Sequence, residues 1–157
     1  MKKINFLIKL KTEGKLEIVE PSENIKDSYV RKSASNVESS KILLSNNKLE
    51  ESISLTYYSM YHMLTALLFK IGIKCENHAG SIIIMKELFN LDNSEISEAK
   101  EERVDKQYYT NFEITKGEVL EAIKSAENFN SKLLDFISRL GSKDITLFRE
   151  NFIQMIR

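Results

Sequence analysis

The chain is predicted to be all-α: an antiparallel up-and-down helical bundle with a short N-terminal element and an extra C-terminal helix. Three observations predict it. One proline and five glycines in 157 residues leave few breakers. Apolar residues recur at three-and-four spacing in almost every segment between those breakers. The length suits a single domain with a real core, residues 1–157, with a bundle core of about 22–140 and an amphipathic helix at 143–157.

Ile4, Leu7, Ile8 and Leu10 predict a short first helix stopped near Gly14, while alternation in KLEIVEP leaves a small strand open as the alternative for residues 2–20. After Pro21, Ser22 can cap a helix to about Ser45, with Tyr29, Val30, Ala34, Val37, Ile42 and Leu44 inward and Arg31, Lys32, Glu38 and Lys41 outward. Asn46 and Asn47 turn the chain into the most informative helix, LEESISLTYYSMYHMLTALLFKIG. Its apolar residues Ile53, Tyr57, Met60, Tyr61, Leu64, Leu67, Leu68 and Ile71 predict burial on one broad face, with Gly72 as the stop. Ser59 and Tyr58 each lie one turn from His62, which predicts a hydroxyl, a phenol and an imidazole on the margin of that face. Asn77 or His78 can cap the next helix, carrying Ile82, Ile83, Met85, Leu88 and Phe89. Asp92 with Glu95 has capping-box spacing for a charged helix at about 94–109, which either lies exposed or lines something polar. Thr115 with Glu118 opens a long helix whose seam runs Val119, Ile123, Ala126, Phe129, Leu133, Ile137 and Leu140. After Gly141, Ile145, Phe148, Phe152, Met155 and Ile156 predict the last helix.

Composition narrows the function. Lys plus Arg equals Asp plus Glu at 23 each, so there is no net positive field to draw the chain to extended duplex DNA or an anionic membrane; any phosphate site is a local patch. One cysteine, Cys75, excludes an intrachain disulfide and fits a reducing compartment. The N-terminal MKKINFLIKLKTEGK reads as folded protein, since Lys9 and Lys11 interrupt its apolar stretch, and no window approaches a membrane span. The expected location is cytoplasmic. His62 and His78 are 16 residues apart with no ligand cluster beside them, and no glycine-rich phosphate loop occurs, so neither a metal site nor a cofactor is expected.

Several stretches in order resemble the HEPN family of small, antiparallel, mostly prokaryotic helical bundles: YVRKSASNVESSKILL, SLTYYSMYHMLTALLFKIGI, the loop histidine in ENHAGS, and ERVDKQYY followed by ITKGEVLEAIKSAENF. The tyrosine pair and the Arg103-x4-Tyr108 spacing are similar to an uncharacterised HEPN subgroup. The resemblance implies a homodimer and one of two roles. Many HEPN proteins are metal-independent ribonucleases with a paired Arg-x(4-6)-His site; others bind beside minimal nucleotidyltransferases in toxin–antitoxin pairs. Here the positions after Arg103 hold Gln107, Tyr108 and Tyr109 instead of histidine. A phenol with a pKa near 10 is a poor general base at neutral pH.

The expected reading is therefore a nucleotide- or RNA-associated binding module, paired with a nucleotidyltransferase. Arg103, Lys106, Tyr108, Tyr58 and His78 are its expected polar groove, because guanidinium grips phosphate in a fork and phenols add stacking planes. The alternatives are a ribonuclease in which His62 or His78 joins Arg103 and Tyr108, and a structural oligomerisation bundle. Each candidate also has a plainer reading. His62 suits a structural hydrogen bond, His78 a helix cap, Tyr57, Tyr58 and Tyr61 core packing, and Arg103 a solvated charged helix; Glu95, Glu98, Glu101 and Glu102 read as an exposed acidic face.

Overall fold

The computed structural model describes residues 1–108 and 113–157, and for residues 104–108 it describes the helical backbone without side chains. Among them the order is α1 (Lys2–Thr12), β1 (Leu16–Ile18), α2 (Glu23–Ser45), α3 (Leu49–Ile71), β2 (Ile73–Cys75), α4 (His78–Glu87), α5 (Ser94–Tyr108), α6 (Lys116–Arg139) and α7 (Ser142–Met155). The fold is all-α, with one small two-stranded sheet.

The two N-terminal alternatives both occur, one after the other. Leu7 and Leu10 bury one side of α1, Gly14 makes the turn at φ +74°, and β1 then pairs antiparallel with β2, Leu16 opposite Cys75 and Ile18 opposite Ile73. The second strand has no period of its own in the sequence: three residues, IKC, are too few to show one.

The sequence places α3 against the core on one broad face; in the structure it is the central rod, packed by α2, α4, α5, α6 and α7. Besides its large apolar residues it buries Ser52, Ser54, Thr56 and Ser59. Of these, Ser52 and Ser59 lie on the side that α2 covers, where small side chains allow close approach. Ser33 Oγ donates to Ser59 O and Ser52 Oγ to Ser40 O, each at 2.7 Å, so the seam is tight and its hydroxyls are satisfied. Ser59 thus turns into the core rather than sharing a margin with His62. The same seam corrects the expected inward face of α2. Ser33 and Ser40 are its buried residues, Tyr29, Val30, Val37 and Leu44 are half-buried, and Ala34 and Ile42 point outward, Ile42 at 57% exposure.

Capping follows the sequence closely, with one shift. Ser22 accepts from Ile25 N, Asn77 from Gly80 N and Thr115 from Glu118 N. Asp92 instead sits one residue outside the cap and accepts from Ser94 N and Oγ, while Asn93 donates to Ile82 O. Ile96, fully buried, anchors the otherwise charged α5. The largest core cluster takes side chains from every helix; Phe148 of α7 packs on Phe89 and Phe136. No helix among the described residues is long and apolar enough to cross a membrane.

Candidate functional site

Two successive turns of α3 present Tyr57, Tyr58, Tyr61 and His62, and two neighbouring helices bring one polar group each against them. α4 contributes His78, its first residue. The Asn77 cap fixes where that helix begins, and Gly80 lets it lie close to α1, since a Cβ there would stand 2.6 Å from Leu10 Cδ1. α5 contributes Arg103.

Tyr57 is fully buried, and its hydroxyl lies 2.7 Å from His78 Nδ1. Burial pushes this phenol far above its ordinary pKa, so it stays protonated and acts as the donor; the histidine proton then sits on Nε2. The His78 ring stacks on Tyr61 with centroids 3.8 Å apart and meets Tyr58 edge-on at 6.4 Å. Burial first, then the charges of Lys100 and Arg103, hold His78 below the usual imidazole pKa, so it is neutral at pH 7. The Arg103 guanidinium carbon lies 4.9 Å from the Tyr58 ring centroid and 5.7 Å from that of Tyr57, within cation–π range of both.

His62 occupies the α2 side of the array. Its Nδ1 is 2.7 Å from Asn36 Oδ1, an atom that can only accept, so the proton is on Nδ1. Its ring lies 5.8 Å from Tyr29 and 6.2 Å from Tyr58. Burial, then the charges of Lys32 and His78, bring its pKa down to about 4.

Of the expected groove residues, Tyr58, His78 and Arg103 come together. The side chains of Lys106 and Tyr108 lie outside the described residues, as does Tyr109. Sequence reasoning missed Tyr57 as the partner of His78, Lys100 as the second cation beside it, and Asn36 as the anchor of His62. Asn36 does carry a signal: with Tyr29, Ser33 and Ser40 it forms a polar stripe at helical spacing. Of the α5 glutamates, Glu98 and Glu101 are exposed, while Glu95 and Glu102 are half-buried. Glu95, Glu98 and Glu102 face Glu118 and Glu121 of α6 across a cleft of about 650 Å³, and Glu95 pairs with Lys132 at 3.4 Å. Among the described residues no group of three His, Cys, Asp or Glu side chains is arranged to hold a metal ion.

A sequence model of the HEPN domain matches residues 27–136. A UPF0332 protein of Pyrococcus horikoshii is 39% identical over 56 residues, which cover 36% of this chain and 39% of that protein. The match thus spans about two fifths of the relative's length.

Proposed function

Because the chain belongs to the HEPN domain family, we propose that it is a helical binding module for a nucleotide or RNA, one component of a toxin–antitoxin-like pair with a minimal nucleotidyltransferase. The observation that carries this reading is the Arg103 guanidinium set against Tyr58 beside a neutral His78. A guanidinium supplies forked donors for phosphate, and phenol and imidazole faces supply stacking planes for a base. Lys106 and Tyr108 follow on the same helix and are taken to extend the groove. Zero net charge fits a local site better than extended duplex DNA. The reading is tested by calorimetry of the full chain against nucleotides, short RNA and a minimal nucleotidyltransferase. Arg103→Ala is expected to weaken binding by roughly 1.5–3 kcal/mol, the scale of a charge-assisted hydrogen bond, with the circular dichroism unchanged. Equal affinity in Arg103→Ala and Tyr108→Phe would place recognition elsewhere.

A second reading, a metal-independent ribonuclease with a non-standard site, is supported by one feature: the Tyr57 hydrogen bond leaves His78 close to Arg103 in a fixed tautomer. In this tautomer His78 can donate through Nε2, whereas His62, whose Nδ1 proton goes to Asn36, keeps a lone pair on Nε2 but is lowered by burial to a pKa of about 4. The binding reading expects no cleavage of labelled RNA. Cleavage that disappears in both Arg103→Ala and His78→Ala would replace it with the ribonuclease.

A further inference from the structure

A cleft of about 620 Å³, within the size range of small-ligand pockets, opens between α1, α4 and α5. Ala79, Ile82 and Ile83 give it an apolar floor, and Lys3 and Lys100 bring two cations to its walls, where Glu101 is the only carboxylate among the described residues that line it. Lys3 is 61% exposed, and its 3.6 Å pairing with Glu87 is a surface ion pair that a phosphate can displace at little cost. Ala79 adjoins His78 in sequence, and Lys100 precedes Arg103 by one turn of α5, about 4.5 Å along the axis. The cleft therefore lies next to the Arg103 cluster, with Lys100 lining the cleft and its charge also reaching His78. Lys3 lies outside residues 27–136, so this wall is an addition to the family core.

Resting on the reading of the Arg103 cluster as a nucleotide- or RNA-binding group, we propose that the cleft is a second subsite, holding the adjoining nucleotide of a single-stranded RNA. Lys3 and Lys100 meet its phosphate, and Ala79, Ile82 and Ile83 lie against its base. The ligand is then a dinucleotide or longer strand. One phosphate on Arg103 and the next on Lys100 match two cations one turn apart on a single helix, whereas a mononucleotide leaves the apolar floor uncovered.

The test is a methyl- and aromatic-labelled NMR titration of the full chain with AMP, ADP and the 5′-phosphorylated diadenylate. Ile82 and Ile83 methyls report the cleft; the Tyr58 ring and His78 report the Arg103 side. The dinucleotide is expected to move both sets together and to bind roughly ten-fold or more tightly than AMP, the equivalent of one charge-assisted contact. Lys3→Gln/Lys100→Gln should remove that advantage and silence the two methyls, with the AMP response of Tyr58 and His78 preserved; single Lys→Gln variants give the same readout in smaller steps. A dinucleotide that shifts Tyr58 and His78 but leaves both methyls still overturns the subsite and spares the Arg103 reading. AMP or ADP filling both sets overturns it in favour of a mononucleotide site. No shift in either set refutes both.

Discussion

His62 couples the fold to pH. Its folded pKa of about 4 lies below its ordinary value of 6.5, so the unfolded chain binds the proton more readily. The stability this provides is complete above pH 6.5 and is lost as pH falls towards 4; the depressed His78 acts in the same direction. Between pH 6.5 and 4.5 urea unfolding is expected to show a loss on the order of 1–2 kcal/mol from His62, allowing for solvent screening of a half-buried group. His62→Gln should flatten that slope, and an unchanged slope would show that the imidazole is not the titrating group. Glu23, held low chiefly by its hydrogen bond to Lys70, adds its own loss only below about its ordinary 4.5. At this scale Tyr58, His78 and Arg103 were legible because each is a chemically distinctive residue at a helix margin or boundary. Tyr57 was not, since a phenol on an apolar stripe gives no sign of which neighbour its hydroxyl will meet.

At the scale of the element, α7 is held by more than its apolar face. Arg149 Nη1 donates to Val19 O at 2.7 Å and Ile71 O at 2.9 Å, and lies 3.3 Å from Gly72 O, which places a cation on the carbonyl end of α3. Arg149→Met keeps much of the stem but leaves those carbonyls without this donor, so a loss of about 1–3 kcal/mol is expected in thermal or urea unfolding. Gly72 is the matching constraint. It adopts φ +90°, and a Cβ there would collide with Val19 O, Pro21 N and Arg149 Nη1. Gly72→Ala should cost about 2–4 kcal/mol; a neutral result would mean that the α3 end and α7 can separate without loss. Gly72 was readable as a stop signal, but the packing it permits was not, because its neighbours come from residues 51 and 53 before and 77 after it. α5 also divides in a way composition concealed, with Lys100 and Arg103 towards α3 and α4 and Glu95, Glu98 and Glu102 towards α6. Only the first side suits a phosphate.

At the scale of the molecule, the chain is proposed to fold as one unit, residues 1–157, and to form a homodimer. The apolar sides of α3 and α7 are consumed within the monomer, where Phe152 and Ile156 are buried. The surface left for a second copy is smaller: Leu120 and Leu134 lie two heptads apart on α6, and Leu147 and Ile153 on α7, all exposed. Light scattering at micromolar concentration should give twice the monomer mass, and Leu120→Glu/Leu134→Glu should shift it towards monomer. A monomer in the unmodified chain would refute the dimer, and an unchanged dimer in the variant would move its interface off α6. The bundle itself was visible in the sequence because long amphipathic segments repeat one period. The small sheet and the serine seam were not, since both are defined by partners distant along the chain.

The aromatic array has an optical consequence. The chain contains no tryptophan and six tyrosines, of which Tyr29, Tyr57, Tyr58 and Tyr61 stand in or beside the Arg103 cluster. Their near-ultraviolet emission is therefore unmasked by indole and arises largely from the candidate site. Occupancy of that site can be followed in the unlabelled protein, as a change in tyrosine intensity corrected for the absorption of the added nucleotide.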